Sequence, residues 1–375
     1  MEATDIKLNS KQQARSISGI WRGTLIYISI AFITFILTRL APLDAEMVEK
    51  LFSSTLYPYI AKFIGFISNI IPISLTEILI IMLFLLIIVM ILLLLFNPKI
   101  YINNKIFIIN YILRSLALVY ILFYFLWGFN YFRPDYIDLA NMNKDSGTIE
   151  DLETLSLEII NNMNIIRENL SEDIDGILLI EEDFTQLSRQ AQKGFEDFKV
   201  GTLNLGGNYG QVKPILFSEW MSYTGIMGIF FAYTSEPNIN TNIPIQDLLS
   251  TISHEIAHQR GFAKEDEANF IAYKANINNP DKNFQYSGYY LAIQYIMNDI
   301  YKEDQDLHIE LFSKMSDSVK RDINNSNSFW KSKESSSKKI VTTMNDTYLK
   351  SNNQKQGVQS YNGVVKLLMS DYKSN

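Results

Sequence analysis

Ile78–Phe96 reads ILIIMLFLLIIVMILLLLF, 19 consecutive residues without a polar side chain. At a rise of about 1.5 Å per residue such a helix spans a hydrocarbon core of ~30 Å. In a water-soluble domain it would have no wet face, so the lipid bilayer is the first partner the chain implies. Two weaker stretches flank it. Ile20–Thr38 is interrupted by Arg22 and closed by Arg39, both near enough to the ends to snorkel. Ile109–Phe129 carries Arg114 near its start and Tyr120, Tyr124 and Trp127 towards its end, as expected of an interfacial belt. The sequence therefore predicts an α-helical transmembrane anchor of three spans, about 20–38, 76–96 and 109–129, within a membrane region of residues 20–130. No small-x-small site follows the first stretch, which reads as an uncleaved anchor rather than a signal peptide.

Charge bias sets the expected direction. Lys7, Lys11, Arg15 and Arg22 precede or open the first span, and Lys99, Lys105 and Arg114 lie in or just past the second connection. The first connection instead holds Asp44, Glu46 and Glu49 against Lys50 and Lys62. Positive-inside then predicts a multi-pass protein of the cell membrane with a cytoplasmic N-terminus, 1–19, and an extracytoplasmic domain, 131–375. Within the first connection, 47–71 has the composition of an interface-lying helix, with Leu56, Ile60, Phe63, Ile64 and Ile67 as its apolar stripe and Pro58 and Pro72 as bends.

The rest of the chain is of another kind. Up to Tyr131 there are 10 Lys+Arg against 6 Asp+Glu; beyond it, 23 against 34. An acidic remainder argues against nucleic acid as a partner. The absence of cysteine excludes disulfides, thiolate metal sites and thiol nucleophiles. The glycine-rich Gly201–Gly210, GTLNLGGNYG, lacks both the GxGxxG spacing and the lysine-serine ending of a phosphate loop, so it reads as a loop and not as a nucleotide site. Asn141–Gly147 reads as a loose tether, and helical periodicity predicts helices at 149–170, 184–198, 265–276, 287–302, 309–324 and 358–372. Gly228–Tyr233 reads as a strand, with an edge able to pair with an extended peptide. Before a further helix, Asn242 is the expected cap and Pro244 an early helical residue; Leu248, Leu249, Ile252 and Ile256 form its packing side and Gly261 its end.

That helix holds His254-Glu255-Ile256-Ala257-His258, two of the chain's three histidines. Residues i and i+4 share a helix face, so both imidazoles can hold one divalent ion while Glu255 takes a proton from water. A third ligand is required. The arrangement HExxHxxGxxH is followed as far as Gly261, but its last histidine falls on Lys264, which cannot ligate while protonated. Glu265, Asp266 and Glu267 are the nearby carboxylates; His308 is a distant competitor.

HEIAHQRGFAKEDEANFIAY resembles an uncharacterised family of bacterial membrane proteins, known by a domain of unknown function, with gluzincin-type metallopeptidase character. The likeness extends to NLGGNYGQVKPILFSEWMSYTGIMGIFF, YSGYYLAIQYIM and GVQSYNGVVKLLM. It implies a mainly helical α+β, zincin-like metallopeptidase domain after the anchor, Zn2+ as cofactor, and a peptide or protein substrate in the envelope. In related zinc peptidases the glutamate directly before Ala-Asn is the third ligand. Matched here that is Glu267, with Glu265 as second choice. The expected set is thus His254, His258 and Glu267 on the metal and Glu255 as base. Tyr223 and Tyr286 are the tyrosines expected to assist, drawn from four in the matching blocks that include Tyr209 and Tyr361, and Asn269 is expected to orient a ligand. The alternative is a non-catalytic, membrane-tethered, metal-containing binding or assembly protein.

Overall fold

A computed structural model describes residues 2–145, 147–352, 354, 356–357 and 363–374. Three long helices dominate its first third: α1 (Glu2–Leu40), then, after the short α2 (Ala45–Val48) and α3 (Tyr57–Ser68), α4 (Leu75–Phe96) and α5 (Pro98–Leu126). Trp21–Leu43, which runs from α1 into a 3-10 turn, Leu75–Phe96 and Asn104–Leu126 are long and apolar enough to cross a membrane. The third ends short of the expected 129 because the chain leaves α5 at Trp127 for a 3-10 turn, Gly128–Phe132, whose five residues are all buried. Arg114, expected near a membrane edge, instead donates from Nε to Thr24 Oγ1 at 2.9 Å and joins α5 to α1.

The segment between the first two long helices is helical, as its composition predicts, and the expected stripe stays on the outside: Leu56, Phe63 and Ile67 are exposed and Ile60 and Ile64 half-buried. From Glu49 to Leu56 it is a π-helix, which gives way to α3 where Pro58 has no N–H to donate. The buried stripe of α3 is Tyr57, Ala61, Gly65 and Ser68, while Phe63 and Phe66 are exposed. Tyr57 and three small residues thus meet the following domain, and large apolar ones are left exposed. Gly65 makes this close approach: a Cβ there would lie 1.8 Å from the Tyr209 carbonyl oxygen. Gly65→Ala is therefore expected to push α3 off the domain at a cost of about 1–3 kcal/mol, seen as a lower melting temperature of the full chain in detergent; an unchanged melt would show that the approach is dispensable.

The remainder is mostly helical, with α6 (Tyr136–Leu139), α7 (Ile149–Arg167), α8 (Phe184–Lys193), α9 (Ser218–Ser222), α10 (Ile245–Gln259), α11 (Glu265–Ile277), α12 (Lys282–Glu303), α13 (Gln305–Lys314), α14 (Asp317–Ser332), α15 (Ser336–Ser351) and α16 (Val364–Ser374). β1 (Lys199–Val200) and β2 (Leu203–Asn204) form a hairpin that leads into the glycine-rich stretch. β3 (Lys213–Pro214), β4 (Gly228–Phe231) and β5 (Glu236–Ile239) form a sheet of order β3-β5-β4, with β4 an antiparallel edge in the register Gly228↔Ile239. α10 runs through the core: Leu249, Ile252, Ile256 and Ala257 are fully buried among α11, α12 and the sheet.

Packing crosses the boundary expected at residue 131. Phe52, Tyr57, Trp127 and Tyr131 share one buried cluster with Tyr209 and Ala263. The first amides of α4, which no helical carbonyl can satisfy, donate to the domain's Glu236: Leu75 N–H at 3.2 Å and Thr76 N–H at 2.9 Å. The expected loose tether is fastened as well, since the Asn143 N–H donates to Ser374 Oγ of α16 at 2.9 Å.

Candidate metal centre

α10 begins at Ile245 after Pro244, in extended backbone, with no side-chain cap; the N–H of Asn242, the expected cap, instead donates to Asn240 Oδ1 at 2.9 Å. At the other end Gly261 has φ +90°, a conformation that favours glycine. The Phe262 N–H then returns to the Ala257 carbonyl at 3.2 Å, and the chain reverses into α11. His254 and His258, one turn apart, present their rings 4.6 Å from each other.

Glu265, in the first turn of α11, completes the group. Its Oε2 lies 3.2 Å from His254 Nε2 and 3.4 Å from His258 Nε2. Among the described residues this is the one group of three His, Asp or Glu placed to share an ion. Glu267 is placed elsewhere, contrary to the expectation drawn from the resemblance. Its Oε1 accepts from the Tyr136 N–H at 2.9 Å and from Lys264 Nζ at 3.1 Å. Residues two apart on a helix differ by about 200° in direction, so α11 can turn only one of these glutamates towards α10. Asn269, four after Glu265, shares that face, and its Oδ1 meets His254 Nδ1 at 2.8 Å. Asp266 lies between, its carboxyl pushed up to about 7 by burial and by the charge of Glu267.

The outer ring nitrogens settle how the imidazoles are used. His258 Nδ1 lies 2.7 Å from the Phe262 carbonyl, which can only accept, so this nitrogen carries a proton. With His254 Nδ1 similarly held on Asn269, the Nε2 atoms face the carboxylate and have lone pairs for an ion. A neutral imidazole lone pair set against a carboxylate oxygen is repulsive; a proton or a cation between them removes the conflict. Without an ion the proton takes that place. Burial works against the His258 charge, but Glu265 outweighs it and lifts His258 to about 9. Burial likewise disfavours the Glu265 carboxylate, yet the two imidazoles hold it well below the usual range.

Glu255 stands beside this group. Burial raises its carboxyl above the ordinary value against the opposing pull of both histidines. Its Oε2 is buried with no hydrogen-bond partner among the described residues, the Phe230 N–H donates to the carboxylate, and β4 lies so close that a Cβ on Gly228 would sit 2.6 Å from Oε1. Two imidazole nitrogens, a carboxylate oxygen and an orphaned carboxylate atom next to them fit a divalent ion such as zinc with an open position for water.

The end of α10 is tied down from the membrane side. Trp127 Nε1 donates to the His258 carbonyl at 3.2 Å, the Tyr57 hydroxyl to the Gln259 carbonyl at 2.9 Å and an Arg133 guanidinium nitrogen to the Gly261 carbonyl at 2.9 Å. These are donors that sequence reasoning missed; Trp127 reads only as an interfacial aromatic. Of the tyrosines, Tyr286 is buried elsewhere and donates to Asp322 Oδ2 at 2.6 Å. The Tyr223 ring lies 4.4 Å from Lys333 Nζ, and the Tyr209 ring is stacked by Arg260 at 3.9 Å. Tyr361 lies outside the described residues. The tyrosines that feel the Glu265 charge are Tyr295 and Tyr348, and the Tyr348 hydroxyl lies 3.1 Å from that of Tyr131. His308 packs against the rings of Tyr301 and Phe312 and is not part of the group.

Fold and site together define a mostly helical chain with three helices able to cross a membrane and a histidine–histidine–glutamate cluster where they meet the following domain. The chain belongs to a protein family of unknown function, DUF3810, whose model matches residues 52–369. No curated protein matches it, and no solved structure does.

Proposed function

We propose that this is a membrane-anchored, zinc-dependent metallopeptidase of gluzincin type, with a zincin-like domain that hydrolyses peptide bonds in the cell envelope. The observation that carries the reading is the convergence of His254 Nε2 and His258 Nε2 on Glu265 Oε2, with Glu255 buried and half-partnered beside them. Zinc, when bound, supplies the positive charge that acidifies water and polarises a carbonyl. His254, His258 and Glu265 would hold it; Asn269 and the Phe262 carbonyl keep the rings in the required tautomer. Glu255, made more basic by burial, takes the proton of the attacking water and returns it to the leaving amine. The edge of β4, against Glu255, offers a place for an extended peptide. The charge bias around the spans supports a cytoplasmic N-terminus and an extracytoplasmic domain.

Cleavage of an unstructured reporter peptide by the full chain in detergent is expected to stop on adding a divalent-metal chelator and to return with zinc. Undiminished cleavage in the chelator would sink the reading.

A further inference from the structure

An exposed apolar surface near the site is held at a definite height relative to the long helices. The N–H groups of Leu216 and Phe217 donate to the two carboxylate oxygens of Glu77 at 2.9 and 3.0 Å, and Glu77 lies in the first turn of α4, the most apolar of the three helices. From that tie Leu216, Phe217 and Trp220 stand out 80%, 49% and 77% exposed. A second tie lies beyond β4. The Tyr233 hydroxyl donates to the Val119 carbonyl at 3.0 Å, well before α5 ends at Leu126 and so about 10 Å inside that end along the axis. Hydrogen bonds between side chain and backbone thus hold both ends of 216–233 beside the long helices. The patch also continues an apolar surface: Lys213 Nζ donates to the Ile71 carbonyl at 2.6 Å, and Phe66, Ile70 and Ile73 around that point are exposed.

We propose that Leu216, Phe217 and Trp220 are seated in the headgroup–acyl boundary of the bilayer, extending the lipid-facing surface of the spans and holding β4, with the His254–His258–Glu265 cluster behind it, at the membrane surface. Bilayer lipid is the occupant because the patch is continuous with helices apolar enough to span, and because aromatic side chains at the level of a span end suit the interface.

The chain has no cysteine, so single labels can be placed without further change. Spin labels on Phe217→Cys, Trp220→Cys, Ile174→Cys and Ile91→Cys, in the full chain in phosphatidylcholine–phosphatidylglycerol vesicles, report collision with lipid-soluble oxygen and with a water-soluble nickel chelate. Ile174, fully exposed in the domain, is the aqueous reference, and Ile91, exposed within α4, the lipid reference. The oxygen-to-nickel ratio at 217 and 220 is expected to be several-fold above that at 174 and to approach that at 91. Ratios at 217 and 220 equal to that at 174 would overturn the proposal by placing the patch in water. Protection from both reagents would overturn it too, by showing the patch covered by protein, as in association with a second copy. Because no step depends on turnover, the outcome is independent of the peptidase reading.

Discussion

Glu255→Gln is expected to leave zinc in place and to lower peptide turnover by about 10²–10⁴-fold. The substitution keeps the size of the side chain and therefore the contact with β4, where Gly228 leaves no room for change. It removes the one property the mechanism uses, a basic oxygen in a buried setting that favours holding a proton. Glu255 is not among the three side chains whose donor atoms converge, so metal retention does not depend on it. The check is zinc content and initial rate on the same preparation. A variant that keeps zinc and still turns over at the wild-type rate would rule out Glu255 as the base.

The largest effect on stability is expected at Arg133. Its guanidinium is 1% exposed, bonds Glu49 through Nε and another nitrogen, both at 2.9 Å, and donates to the Gly261 carbonyl at the turn that ends α10. It also lies 4.1 Å over the Phe262 ring. Arg133→Met would leave Glu49 charged and buried and would free the Gly261 carbonyl. Breaking a buried pair on one side costs about 3–5 kcal/mol, a fall on the order of 10 °C in melting temperature for a chain of this size. Removing both charges, Glu49→Gln with Arg133→Met, should recover part of the loss because no ion remains unpaired. Thermal unfolding of the full chain in detergent reads all three proteins. A double variant less stable than the single one would show that the pair is not what Arg133 contributes.

What could be read from the sequence was what short-range periodicity determines. The three helices able to cross a membrane follow from long, mostly apolar runs, and the shared face of His254 and His258 follows from their four-residue spacing. The reversal after α10 follows from Gly261, which occupies a left-handed conformation. The third member of the cluster depends on the rotational phase of α11 against α10, which no local pattern specifies, so the resemblance favoured Glu267 where the fold turns Glu265 inward. Asn269 is expected as an orienting residue from its place on the helix of Glu267, but it meets His254 because it stands one turn after Glu265 and not because of Glu267, from which it is two residues away. The donors from Tyr57, Trp127 and Arg133 were not legible, because they reach α10 across more than a hundred residues of chain and resemble interfacial side chains when read alone. The large apolar stripe expected between the first two long helices does stay exposed, but the opposite face of α3, Tyr57, Ala61, Gly65 and Ser68, was not legible as a contact because small residues give no apolar pattern.

Zinc content of the purified full chain, for the wild type and for Glu265→Ala and Glu267→Ala each confirmed as folded by circular dichroism, tests the central claim most directly. The account predicts about one zinc per chain in the wild type, as expected for a single three-ligand site, a sharp loss in Glu265→Ala and near wild-type retention in Glu267→Ala. Retention in Glu265→Ala together with loss in Glu267→Ala would contradict it.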